Sequence, residues 1–300
     1  MSDQCWVRRS LSAIRQGLIQ IGHVLSPNTI RRLLSHHKIR PKSHCKRLKT
    51  TPHPQRDEQF RYIQRQREVF ELMQQAIISV DTKKKELIGN FAQAGQVWCE
   101  QADSVLMYDF ASDAEGKAVP HGIYDIQANR GYVCVGQSAD TPTFAVDNIV
   151  EWWEQEGRDR YPNRTDLLIL ADGGGSNSSR SRVFKQQLQL KLADVWNLVV
   201  TVAHYPPGAS KWNPIEHRLF SHISQTWAGT ALTSFEHVVG AIRHTTTQTG
   251  LQVQASLVTQ HYPTGVKVSD QEMNALNLLR HTICPDWNYT IFPRRTVSYF

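Results

Sequence analysis

"LLILADGGGSNSSRSR", residues 167–182, runs five apolar positions into an aspartate, then three glycines, then a polar stretch. A run so short and so uniformly apolar reads as a strand buried on both faces, as in a parallel sheet covered by helices. Asp172 then stands at the carboxyl end of that strand, where open α/β sheets build their sites. Gly173, Gly174 and Gly175 let a backbone or a phosphate approach closely, and the loop opens onto a helix whose N–H groups point outward. Arg180 and Arg182 are placed to meet phosphates. The stretch lacks the ending of a nucleotide P-loop, and a flexible turn is the competing reading.

Working outward, short runs rich in β-branched and aromatic residues read as strands at 76–81, 86–91, 104–110, 122–126, 132–138 and 198–205. An amphipathic helix is expected at 141–157, with further helices at about 178–193 and from 213 onward. Antiparallel-type strands followed by alternating helix and strand predict an α/β fold, a mixed sheet flanked by helices on both faces. Asp81, Asp109 and Asp125 also end strand-like runs. Aspartate is a common turn residue, so these patterns alone do not choose among the four.

The stretch "HYPPGASKWNPIEHRLF", 204–220, stops the chain hard before a helix. Pro206 and Pro207 fix φ, Gly208 permits a sharp bend, Asn213 is a good N-cap and Pro214 fits the first helical position. Glu216 falls third, where it closes a capping box onto the Asn213 amide or serves as a rigidly held functional acid. Ile215, Leu219, Ile223 and Trp227 recur every fourth residue and form the buried stripe, with Glu216 on its flank. Lys211 and Trp212 offer a charge and a stacking surface beside it.

Charge is unevenly spread. Residues 1–65 hold 14 Lys or Arg against three acids, a net of +11, and the remaining 235 residues are at −4. A basic segment ahead of a near-neutral body points to nucleic acid, or else to a solvated tail. Two helical patterns, at 12–25 with Ile14, Leu18, Ile21 and Leu25 on one face, and after Ser26-Pro27 with Ile30, Leu33 and Leu34 inward, resemble a helix-turn-helix. Arg31, Arg32, His36, His37 and Lys38 are expected to be exposed on the second; any small helical hairpin is the alternative. Residues 41–58 read as a basic, proline-containing linker, and 59–75 as a helix leading into the main domain, 59–300. Lys83, Lys84 and Lys85 read equally as a solvated turn or a clamp on a DNA backbone.

Several classes are excluded. No apolar run approaches the roughly 20 residues that cross a membrane, and no signal peptide is visible, so a cytoplasmic protein, nucleoid-associated when on DNA, is expected. Five scattered cysteines (Cys5, Cys45, Cys99, Cys134, Cys284) form no disulfide framework or zinc pattern and are expected to be reduced thiols, mostly buried. His204, His217 and His222 do not converge, because 217 and 222 point apart on a helix. There is no nucleophile elbow. Trp152 and Trp153 are expected in the core and at its rim, not as surfaces that stack on DNA.

The segments "ISVDTKKKELIGNF" (78–91), "VPHGIYD" (119–125), "ADGGGSNSSRSR" (171–182), "HYPPGASKWNPIEHRLF" (204–220) and "DWNYTIFP" (286–293) together resemble a bacterial insertion-sequence DDE transposase, closest to the Rhodopirellula-type transposase DDE domain. The resemblance implies a ribonuclease-H-like fold with acids on its first strand, its fourth strand and a later helix. In this chain these are Asp81, Asp172 and Glu216, implied as catalytic residues and metal ligands, while Asp109 and Asp125 become structural. Hard divalent cations suit three carboxylates, so two Mg²⁺ ions, with Mn²⁺ able to substitute, are implied. The implied reaction is strand cleavage by water followed by attack of the freed 3′-hydroxyl on a target phosphodiester, with no covalent enzyme intermediate. The implied partners are double-stranded DNA, as element ends and target, and a further copy of the chain. Relatives carry more helical sequence upstream, so residues 1–40 are expected to be a truncated DNA-binding segment. Ala209 stands where a hydroxyl is common. The rival readings are a DNA-binding remnant without activity and a ribonuclease-H-like nuclease that only hydrolyses.

Overall fold

The computed structural model describes residues 9–41 and 53–294. They fall in two units, within Met1–Thr50 and Thr51–Phe300. The expected linker lies mostly outside the described residues, as do Cys5 and Cys45.

In the first unit, α1 spans Leu11–Gln20 and α2 spans Pro27–His36. Ser26 caps α2, its Oγ accepting the Thr29 amide at 3.1 Å, and Pro27 opens the first turn as expected. Ile30 is buried, but two of the expected inward residues are not. Ile21 lies past the end of α1 and is 69% exposed, and Leu33 is 46% exposed. A pair of ten-residue helices has too little surface to cover a full stripe on each. Arg31, Arg32, His36, His37 and Lys38 are exposed.

The second unit opens with α3, Arg56–Leu72, and continues into β1, Ala76–Thr82. The other strands are β2 (Glu86–Ile88), β3 (Gly116–Asp125), β4 (Arg130–Gly136), β5 (Asp166–Ala171), β6 (Val199–His204), β7 (Gln252–Val258), β8 (Leu278–Arg280) and β9 (Asn288–Ile291). The sheet runs β7-β4-β3-β1-β5-β6-β9-β8, with β2 paired to β3. It is mixed: β1, β5 and β6 are parallel, while β3 joins β1 and β9 joins β6 antiparallel.

Alternation along β1 assigns the faces. Ala76, Ile78 and Val80 pack under α4 (Pro142–Trp152) and the helical stretch from Arg182 to Ala193. Ile77 faces α3 on the other side, so Ser79 and Asp81 share that side by the two-residue period. The helical stretch carrying Ile215, Leu219 and Ile223 also packs on that side, with the helix Phe235–Arg243. Trp152 and Trp153 are both buried.

The run at 104–110 is not a strand. It touches the sheet region only through single bonds, such as the Leu106 amide to the Asn90 carbonyl at 2.9 Å. Val105, Leu106, Met107 and Tyr108 are exposed, so its apolar pattern has no face to bury. The expected strand at 86–91 stops at Ile88, because the chain turns at Gly89 with φ +144°. The helix expected from 178 begins at Arg182, capped by Ser181.

Candidate active site

Register places two acids side by side. β1 and β5 are parallel with Val80 opposite Ala171, so Asp81 and Asp172 follow at adjacent strand ends. Neighbouring strands lie about 4.8 Å apart. Leu168 and Leu170 pack against the α3 side of the sheet, so Asp172, two further on, points to the same side as Asp81.

Glu216 arrives from a separate element that is tied to β1. The Ser79 hydroxyl donates to Asn213 Oδ1 and accepts the Ile215 amide at 3.1 Å. Asn213 Nδ2 also donates to the Val80 carbonyl at 3.3 Å. Of the two readings the sequence left open for Glu216, the capping box is not the one that forms. Asn213 spends its side chain on β1, and Ser79 caps the helix start from across the sheet. Gly122, opposite Asp81, makes room for this approach. A Cβ there would meet Phe220 Cε1 at 2.5 Å and Ile215 Cδ1 at 3.0 Å. Residues Glu216–Phe220 form a wide π-type turn before the regular helix Ser221–Thr226, a distortion common at functional sites.

The electrostatics record the convergence. Burial, then the Asp172 carboxylate, push the Asp81 carboxyl up to about 8, with Glu216 adding to the rise. The Thr82 amide, donating to Asp81 Oδ1 at 2.8 Å, works the other way. Asp172 is raised by burial and by Asp140, against the Gly174 amide that donates to it at 3.1 Å. Among the described residues none of the three acids has a Lys, Arg or His partner within salt-bridge distance. Uncompensated carboxylates packed together are costly unless protonated or bound to a cation.

Asp125 is structural, as expected: it accepts Tyr161 Oη at 2.8 Å, Arg160 Nη1 at 3.1 Å and the Ala128 amide at 3.1 Å. Asp109 stands in the irregular segment and lines a cleft of about 960 Å³ that also holds Glu216, Lys84, Lys85, Lys117 and Lys211. Lys211 is exposed in the cleft and Trp212 is exposed beside it in sequence, the ammonium 5.4 Å from the indole centroid. Lys83 is not the solvated cation the sequence allowed. It is buried, bonded to Glu86 at 3.0 Å and 4.5 Å over the Trp227 ring. Arg180 is exposed, while Arg182 pairs with Asp270 at 2.6 Å. Arg31, Arg32 and Lys38 belong to the first unit.

Sequence reasoning missed three supports. Ser79, the one hydroxyl within the apolar run Ala76–Val80, was a visible signal. Asp140, which accepts Thr82 Oγ1 at 3.1 Å, adds a fourth carboxylate near Asp172. His204 is buried, its ring nitrogens 2.9 and 2.8 Å from the carbonyls of Trp287 and Asn177, which holds the glycine loop to the sheet.

Residues 1–293 match the family described as the Rhodopirellula transposase DDE domain. The chain belongs to that family. It is a DDE transposase, a nucleic-acid-cleaving and strand-transferring enzyme. No curated protein matches it. Among solved structures it is similar to a Mos1 transposase paired-end complex with the left transposon end, at 12% identity and a TM-score of 0.46, covering 79% of this chain and 71% of that one. It is likewise similar to a Mos1 mariner paired end complex with Mn, at 13% identity and a TM-score of 0.46, covering 79% and 72%. No helix among the transposase's described residues is long and apolar enough to cross a membrane.

Proposed function

We propose that Asp81, Asp172 and Glu216 are the catalytic acids of this transposase and that they act on double-stranded DNA with two divalent cations, Mg²⁺ or Mn²⁺. The observation that carries this is the Asp81 carboxyl, driven up to about 8 by burial and by the two other acids with no basic partner among the described residues. The all-oxygen donor set fits hard cations.

Among the described residues no three Asp, Glu, His or Cys side chains already form a closed cage. Mg²⁺ does not need one, because it binds through one or two carboxylates and keeps water and phosphate oxygens. Asp81 is the common member: it pairs with Asp172 across the parallel strands and with Glu216 from the helix. Divalent cations held by Asp81, Asp172 and Glu216 would supply Lewis-acid stabilisation of the attacking and leaving oxygens.

The chain's own residues then position the substrate. Lys84, Lys85, Lys117 and Lys211 draw the phosphate backbone into the cleft beside Glu216. The Ser79–Asn213 tie fixes where the third acid stands, and the glycine loop after Asp172 lets a backbone approach closely. Residues 1–40 supply a separate basic contact through Arg31, Arg32 and Lys38, and 59–300 carry the chemistry. Holding two ends at once calls for a second copy, and the work takes place in the cytoplasm on nucleoid DNA.

The test is metal-dependent nicking of duplex DNA by the purified chain beside Asp172→Asn and Glu216→Gln. Both variants should lose at least about a hundredfold in rate, the scale of one transition-state electrostatic contact. Equal nicking by all three proteins removes the assignment. Joining of pre-cut ends to a plasmid separates a transposase from an enzyme that only hydrolyses.

A further inference from the structure

A second cationic cleft of about 790 Å³ is lined from the loop after Asp172, the turn after β6 and the β8–β9 edge. Arg180, Arg182, Lys185 and Arg280 line it. Two exposed acids answer part of this charge: Asp270 bonds Arg182 at 2.6 Å and Asp286 bonds Arg280 at 3.3 Å. Their side chains are 84% and 91% exposed, so water screens both pairs heavily. Lys185 and Arg180 have no carboxylate within salt-bridge distance among the described residues.

Lys185 is the unusual member. Its residue is 4% exposed, yet its ammonium finds only the Ser179 carbonyl and the face of Tyr289, 5.2 Å from the centroid. An ammonium has three donors, and a buried charge is costly when its donors go unused. Burial and then the Arg280 charge press its pKa down to about 8, against the Asp286 carboxylate and with Arg182 adding to the effect. The Lys185 ammonium thus lines the cleft with donor capacity to spare.

We propose that this cleft is a subsite for a backbone phosphate of DNA, distinct from the phosphodiester at which the three carboxylates act. Tetrahedral oxyanions accept from the Lys185 ammonium and the Arg280 fork together, and a cleft this charged does not suit an apolar ligand. The proposal rests on the reading of the chain as a DNA-handling transposase. The carboxylate site consumes one phosphodiester, whereas strand transfer brings two DNA segments together, so two strands qualify as the source: the element end or the target. The loop that carries Arg180 and Arg182 starts at Asp172, which couples the subsite to the catalytic acids through a short backbone path.

The experiment measures binding of a duplex oligonucleotide by the full chain in EDTA as a function of salt, comparing the parent with Arg280→Gln and Lys185→Met. Each lost phosphate contact should lower the slope of log K against log salt by about 0.9, which amounts to about eightfold in affinity for every tenfold change in salt. Arg280 is half-exposed, so its variant keeps the test interpretable where a methionine at 185 disturbs folding. Slopes equal to the parent in both variants overturn the proposal. The measurement uses no metal, so it stands or falls separately from the nicking assay on Asp172→Asn. Loss of joining to plasmid with end nicking retained assigns the subsite to the target strand; loss of both assigns it to the element end.

Discussion

Replacing Asp81 by asparagine should make the metal-free protein more stable while abolishing its chemistry. The sign follows from the direction of the shift. The folded protein holds the Asp81 proton up to about pH 8, whereas an unfolded chain releases it near 3.8. A carboxyl raised in the folded state favours folding fully below its unfolded value, and that advantage is lost as pH rises toward the folded one. At about 1.36 kcal/mol for each tenfold change in proton affinity, the parent loses up to about 4 kcal/mol between pH 5 and pH 8 from this group alone. Water entering the site relieves part of that, so the figure is an upper bound. Asparagine keeps the shape and carries no charge, so it removes the loss. With about 2–4 °C per kcal/mol for a domain of this size, the margin by which Asp81→Asn melts above the parent in EDTA should widen by up to about 8–16 °C between pH 5 and pH 8. The assay is thermal unfolding by circular dichroism at the two pH values. Identical pH dependence in both proteins would refute the reasoning, because it would mean that Asp81 ionises normally and that the three acids do not crowd one another.

Three further outcomes follow from the same geometry. Binding of Mg²⁺ at pH 7 should release close to one proton per chain and tighten as pH rises toward 8, since a cation must displace the proton Asp81 retains; calorimetry in buffers of different ionisation enthalpy counts it. Ser79→Ala leaves Asn213 Oδ1 and the Ile215 amide without their partner and should cost about 1–3 kcal/mol in urea unfolding. Its nicking rate should fall further than that loss of folded protein explains, because Glu216 is freed from β1. Lys83→Gln strands Glu86 in a buried position and should cost about 3–5 kcal/mol while leaving the salt slope of DNA binding unchanged; Lys84→Gln should do the reverse.

The sheet was legible where the chain is apolar on both faces. β5 and β6 carry their identity in unbroken runs, and the two aspartates proposed as catalytic follow at the adjacent ends of β1 and β5. The run at 104–110 misled because hydrophobic periodicity states that a face exists and not that a partner is present to cover it. Lys83 misled for the opposite reason: a run of three lysines looks solvated, and only the fold shows that the first turns inward onto Glu86 and Trp227. The role of Glu216 was open between cap and catalyst. The decision lay 137 positions away in Ser79, which took over the capping and left the carboxylate free.

That substitution of one cap for another bears on how the site holds together without its ions. Moving the helix away from β1 would separate Glu216 from Asp81 and relieve the repulsion, so something must oppose it. The hydrogen bonds from Ser79 and Asn213 contribute about 1 kcal/mol each. Ile215, Leu219 and Ile223, all fully buried, contribute about 1.5–3 kcal/mol apiece relative to exposure. Their sum exceeds the roughly 6 kcal/mol that burial, first, and the neighbouring acids cost the ionised Asp81, at about 1.36 kcal/mol for each tenfold change in proton affinity between 3.8 and about 8. The helix therefore stays docked, and the strain is relieved by a proton on Asp81 instead of by motion. For the proposed metal site this means that a cation would displace that proton, while the docked helix keeps Glu216 near Asp81.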